Sequence, residues 1–232
     1  MKFLTKQLTT CVSLVFAMAV ACTDEPDYDT FFLASGTVEN SLAGTLTIVL
    51  DDNDTTLRVT ESAVPIEFFK EDMRLFVNYS ILERATPGEA FHYVARVNQA
   101  REIPTKGVSW EPASDTTAND PVAIENYWLA RDFLTFKYRV RGTTAVAHGL
   151  DLFFRQSNDA EQGAEPLVFL DLRHDALGDT GTESLTNYIS FSLRDVFPDS
   201  SDPVKLRVSY NDSEKASGET SIEITYHPRK RP

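Results

Sequence analysis

Apolar and polar positions alternate with a period of two along most of the chain, and no long stretch repeats with the period of an amphipathic helix. Leu46, Ile48 and Leu50 alternate with Thr45, Thr47 and Val49, and Asp51-Asp52-Asn53-Asp54 follows as a turn before Leu57 and Val59. Met73, Leu75, Val77, Tyr79 and Ile81 alternate with Arg74, Asn78 and Ser80; beyond a Pro87-Gly88 turn, Phe91, Tyr93, Ala95 and Val97 alternate with His92, Arg96 and Asn98. About five strands within residues 34–103 predict a small closed barrel. Pro104 ends the last of these runs, since a central strand cannot continue through proline. From there to residue 232 the alternating sets centre on Leu134–Val140, Leu150–Phe154, Val168–Leu172, Ile189–Leu193, Leu206–Tyr210 and Ile222–Tyr226. Seven or eight strands with polar loops, such as 159–165 and 175–184, predict a two-sheet β-sandwich over 104–232. The expected fold is all-β, with no internal repeat.

The first residues follow a different logic. Lys2 and Lys6 precede an uncharged run from Leu8 to Ala21, LTTCVSLVFAMAVA. It is shorter than the roughly 20 residues of a spanning helix, so residues 1–21 read as a signal peptide. The most apolar later stretch, Tyr127 to Phe136, is interrupted by Arg131 and Asp132. Ala19-Val20-Ala21-Cys22 resembles the lipobox of bacterial lipoproteins, with Ala19 where leucine is usual. That resemblance implies cleavage before Cys22 and acylation of its thiol, palmitate included, which would tie the protein to a membrane; several acyl chains give stable anchoring where one is marginal. The next residues, Thr-Asp-Glu-Pro-Asp-Tyr-Asp, resemble the acidic signal that sends lipoproteins of one Gram-negative phylum to the outer leaflet of the outer membrane. Residues 22–33 therefore read as an acidic tether, with the protein displayed on the cell surface.

Charge narrows the partners. The formal net charge is −13, and loss of residues 1–21 removes two lysines and no acid, leaving −15. The tether, residues 34–103 and residues 104–232 are each net acidic. Phosphate-backbone binding depends on lysine and arginine, so no nucleic-acid partner is expected. Cys11 and Cys22 are the two cysteines, and after processing no free thiol remains for catalysis or metal binding.

The combination of a lipobox, a short barrel-like region and the segments Met73–Tyr79 (MRLFVNY), Asn126–Phe136 (NYWLARDFLTF) and Asn187–Leu193 (NYISFSL) resembles the NigD-like family of bacterial lipoproteins. The resemblance covers essentially the whole chain. It implies an N-terminal OB-like barrel, a C-terminal β-sandwich and an association with bacteriocin gene clusters, in which the founding member was proposed to confer immunity. It transfers no active-site residue, and the fold label alone sets no ligand.

Catalytic chemistry leaves little trace. His92, His148, His174 and His227 lack metal-ligand spacing and read as surface or strand histidines. No G-x-S-x-G elbow or phosphate-cradling glycine loop is present. A calcium loop starting at Asp52 would need Gly at 57 and Glu at 63, where Leu57 and Ala63 stand, so Asp51–Asp54 reads as a hairpin turn. Asp171 and Arg173 read as an exposed pair on the polar face of a strand rather than as half of a carboxylate pair with Asp175. Lys137, Arg139 and Arg141 share one strand face, to be answered by acids on the next strand such as Asp151. Asp54-Thr55-Thr56 and Asp115-Thr116-Thr117 resemble O-glycosylation acceptors. Trp128 is expected to be buried, which leaves Trp110, before Glu111-Pro112, as the candidate to stack on a ligand.

No cofactor and no enzymatic activity are expected. The leading expectation is a surface lipoprotein that binds a protein or peptide and protects its own cell against a bacteriocin. The alternative is a glycan-binding accessory lipoprotein of a polysaccharide-uptake system.

Overall fold

The computed structural model describes residues 30–40, 46–155, 167–197 and 202–228. Cys11, Cys22, most of the tether and the 159–165 loop lie outside them.

Five strands form the first unit: β1 (Phe31–Asn40), β2 (Leu46–Leu50), β3 (Thr56–Ser62), β4 (Arg74–Arg84) and β5 (Tyr93–Glu102). They close into a barrel in the order β1-β2-β3-β5-β4, with β3 and β5 parallel and the other neighbours antiparallel. Because side chains alternate across a strand, one set from each meets inside: Val38, Ile48, Leu57, Leu75 and Val97 are fully buried. β1 begins at Phe31, so the last three residues of the expected tether are strand. This strand escapes a search for apolar alternation because one inward position is glycine. A Cβ on Gly36 would stand 2.7 Å from the Val49 carbonyl oxygen on β2.

The second unit is a sandwich of two four-stranded sheets. One orders β13-β12-β10-β9, from β9 (Gly149–Arg155), β10 (Leu167–Asp175), β12 (Val204–Asn211) and β13 (Glu219–Tyr226). The other orders β6-β11-β8-β7, from β6 (Thr105–Gly107), β7 (Ala123–Ala130), β8 (Phe133–Gly142) and β11 (Glu183–Ser192). Leu134, Phe136 and Phe191 of one sheet pack with Leu150, Leu152, Leu170, Leu206 and Val208 of the other. β6 is too short for a periodic signal, and a bulge between Ile124 and Asn126 breaks the alternation of β7.

The sandwich corrects one expectation about charge. β8 and β9 follow each other in sequence but lie in different sheets, so Asp151 cannot answer the basic face of β8. Glu125 on β7 takes Lys137 at 2.9 Å and Arg139 at 2.9 Å, Glu214 also pairs with Arg139, and Asp151 pairs with Lys106 at 2.7 Å. The pairing rule held, but sheet membership chose the partner.

Candidate functional site

The site is built where the barrel meets the outer face of the β6-β11-β8-β7 sheet. Asp51 closes β2 just before a tight turn in which Asn53 and Asp54 have φ of 56° and 52°, the left-handed conformation that asparagine and aspartate tolerate. The turn is the hairpin expected from sequence, but Asp51 has a further role. Its carboxylate accepts from Arg74 Nη1 at 2.5 Å and Nη2 at 2.7 Å, and from Trp128 Nε1 on β7 at 2.8 Å. Arg74 is fully buried at the start of β4. It also donates to Thr37 Oγ1 (3.0 Å), Thr135 Oγ1 (3.1 Å) and Ser190 Oγ (3.3 Å). A guanidinium has five N–H donors, and all five are used, two of them on β8 and β11 of the sandwich. Burial alone would raise the Asp51 carboxyl. The Arg74 guanidinium, through hydrogen bonds and charge, holds it below the usual range, with help from Ser35 and Trp128. Arg194 adds a second clamp with Asp72 (2.5 and 2.8 Å), and Arg131 with Glu39 a third. Where the chain leaves the barrel, Ser190 N–H donates to the Pro104 carbonyl at 2.8 Å and so ties the connection to β11 of the sandwich.

Beside this lock the two units leave an open groove of about 800 Å³. Phe76 and Tyr188 meet edge to face at 4.7 Å across the junction, with Trp128 6.4 Å from Tyr188. Phe32 stacks on Tyr79 at 5.5 Å along the barrel side, where Leu33, Leu50, Ile81 and Tyr93 also line the wall. The polar side chains are Ser35, Asp51, Asp52, Thr55, Asn126 and Lys137, of which Asp51 is already held by Arg74 and Lys137 by Glu125. The apolar surface runs past the groove, for Phe31, Phe32 and Leu33 are 62%, 40% and 75% exposed, with Ile81 and Leu82 beside them. Folded chains seldom leave such a cluster to water without a partner for it.

Trp128 is therefore half-buried at the junction rather than a core residue. Trp110, the sequence candidate, is exposed, with its ring 5.3 Å from Phe154 on the far side of the sandwich. The structure does not bring the two tryptophans into one platform.

Two other sequence readings change in part. His174 is a strand histidine, on β10, but neither it nor His148 is a surface one: their rings stack at 5.1 Å with Nδ1 of His148 2.9 Å from Nε2 of His174. His174 Nδ1 donates to the Pro121 carbonyl at 3.0 Å, and Asp179 lies 3.2 Å from His148 Nε2. Burial, then the neighbouring His148, pushes His174 below its usual value. The backbone N–H groups of Thr143 and Gly181 hold Asp179 down to about 2. Asp171, read as exposed, is 8% exposed beneath Arg155 and Arg173. Among the described residues no group of three or more His, Cys, Asp or Glu is placed to hold a metal ion, and no helix is long and apolar enough to cross a membrane.

Sequence reasoning missed Asp51, Arg74, Phe76 and Tyr188. The five acceptors around Arg74 come from four segments, the farthest 116 residues from it, and no local pattern marks such a meeting.

Comparison with known proteins is consistent along the chain. The family described as the NigD-like C-terminal beta sandwich domain matches residues 105–226. A solved structure of a protein of unknown function from Bacteroides vulgatus superposes with a TM-score of 0.69 at 25% identity, covering 85% of this chain and 91% of that one. A NigD-like immunity protein from Bacteroides caccae has a TM-score of 0.59 at 21% identity, covering 88% and 100%. A "putative lipoprotein" from Bacteroides fragilis has a TM-score of 0.60 at 9% identity, covering 88% and 100%. The last two show likeness of fold alone. None of the curated proteins matches the chain.

Proposed function

The chain belongs to the NigD-like family, and from that membership we propose that it is a non-enzymatic lipoprotein, anchored through acylated Cys22 in the outer membrane and displayed on the cell surface. Its groove captures an extended apolar segment of a protein or peptide, and the capture protects the cell against a bacteriocin.

The observation that carries this reading is the aromatic groove at the clamped junction, continuous with exposed Phe31, Phe32 and Leu33. Its wall mixes aliphatic with aromatic side chains, and two of its charges, Asp51 and Lys137, are already spent on Arg74 and Glu125, which suits alternate side chains of an extended peptide better than a ring rich in hydroxyls. The clamps hold both walls in place beforehand, which lowers the entropy lost on binding. The immunity protein of like fold supports the protective role, and the fold shared with the Bacteroides fragilis protein supports the anchored state.

The test is genetic. Deleting the gene is expected to sensitise the cell to a co-resident toxin, with resistance restored by the wild-type chain and not by Leu33→Asp. Leu33 is 75% exposed, so the charge should spare the fold. Unchanged sensitivity across the toxins of the niche would overturn the protective role. Cys22→Ser is expected to abolish palmitate incorporation and release the protein from the membrane fraction. The glycan-binding alternative draws on exposed Trp110; it expects binding on a glycan array that Trp110→Ala removes.

A further inference from the structure

The outer face of the β13-β12-β10-β9 sheet carries a second site with different chemistry. Strand register sets its side chains in rows. Phe169 stands opposite Arg155 on β9 and Arg207 on β12, and their guanidinium carbons lie 5.3 and 5.5 Å from its ring centre. Arg207 is committed to Glu223 at 2.5 Å. In the next rows the loop at Asn119 and the hairpin at Ser217–Glu219 wall off a depression of about 300 Å³. Asn211, also on its wall, is fixed by donating to the Asn119 carbonyl at 2.7 Å.

The floor of the depression is unusual. Asp171 is a carboxylate buried on the outward side of a sheet, with a side chain 11% exposed. Its two ion pairs are long, 3.2 Å to Arg155 and 3.6 Å to Arg173. Besides lying over Phe169, Arg155 donates one further hydrogen bond, to Ser209 Oγ at 3.4 Å. Three long contacts therefore occupy two guanidinium groups that carry ten N–H donors between them, whereas Arg74 spends all five of its donors within the protein. The floor holds two positive groups against one negative, with Glu219 exposed on the rim, in a chain of net charge −13. Phe169 is covered by Arg155 and Arg207 and does not line the depression, whose floor is Asp171, Arg155, Arg173 and Ser209, so an apolar ligand would gain little here. Planar guanidinium and carboxylate groups match a ligand carboxylate and paired ring hydroxyls. The volume sits at the small end of ligand sites, with room for one ring and not a chain.

We propose that this pocket binds a single acidic sugar residue of the uronic-acid class. The ligand carboxylate accepts from Arg155 and Arg173, and ring hydroxyls donate to Asp171. The site does not depend on what the groove holds.

The test titrates the full mature chain with D-glucuronate, D-glucose and inorganic phosphate, by calorimetry or ligand-observed NMR. Saturable glucuronate binding in the millimolar range is expected, at least tenfold tighter than glucose or phosphate. Arg173→Ala is expected to weaken it tenfold or more while the chain stays folded at the assay temperature, as its melting curve would show, because Arg173 is three-quarters buried but its pair with Asp171 is a long 3.6 Å. Arg173→Lys keeps the charge but loses the planar fork, and is expected to recover only part. Equal binding of phosphate and glucuronate would reduce the site to a nonspecific anion patch and overturn the proposal. So would absence of saturation, or an Arg173→Ala chain that binds as the wild type does.

Discussion

Replacing Arg74 by methionine keeps most of the buried volume and removes the guanidinium. Asp51, whose side chain is 9% exposed, then keeps its charge with the Trp128 indole but without its cation, and Thr37, Thr135 and Ser190 lose a donor. Breaking a buried pair from one side costs about 3–5 kcal/mol. For a chain of this size each kcal/mol is worth about 2–4 °C, so the melting temperature should fall by roughly 10 °C. Urea titration followed by tryptophan fluorescence suits the question, because Trp128 reports on the lock and Trp110 on the far side of the sandwich. The wild type should unfold in one transition and the variant in a broader or split one, since two of the lost bonds reach the sandwich and their loss leaves the Arg194–Asp72 and Arg131–Glu39 clamps to hold the junction. Arg74→Met combined with Asp51→Asn removes the stranded charge, and should be less destabilised than the sum of the single variants by about 2–3 kcal/mol. The pH dependence carries a sign as well. Asp51 is held below the usual 3.8, so its contribution is fully present above that value and is lost as pH falls below it. Asp51→Asn should remove that part of the acid sensitivity. A cost below about 1 kcal/mol for Arg74→Met, or strict additivity in the double variant, would refute the reasoning.

Gly36→Ala sets a Cβ 2.7 Å from the Val49 carbonyl oxygen and 3.1 Å from Ile48 Cγ2, and is expected to cost about 1–3 kcal/mol in urea denaturation. Gly107→Ala, with nothing within 4 Å, should change stability by less than about 0.5 kcal/mol. Burial and the neighbouring His148 oppose protonation of His174 and outweigh Asp120 and the Pro121 carbonyl, which favour it. The unfolded chain therefore takes up its proton first, and stability should be complete above about pH 6.5 and fall as the pH drops below it. Melting curves from pH 7.5 to 5 would show this, and His174→Gln should flatten them.

Local pattern was enough for the strands whose two faces differ. Leu134 to Val140 and Leu206 to Tyr210 announce themselves because one side meets the core and the other meets water or polar partners. The pattern failed where a strand departs from that condition. β1 carries Gly36 at an inward position because β2 passes too close for a Cβ, and β7 is bulged at its centre. The run of small residues up to Cys22 and the acids behind it are equally visible along the chain, as they would be to an enzyme reading it in extended form. The junction was not visible. Arg74 looked like any polar residue of an alternating strand, and Asp51 like the first residue of a turn. Their meeting with Thr135, Ser190 and Trp128 follows from the placement of two separately closed units against each other. Asp171 illustrates the same limit, since its face of the strand was legible but Arg155, which helps cover it, comes from β9, and the loop and hairpin that wall its depression come from residues 119 and 217–219. Sequence determined which side chains would turn inward, because alternation is a local property of an extended backbone. Tertiary structure decided which outward residues would be covered, because that depends on surfaces brought together from distant parts of the chain.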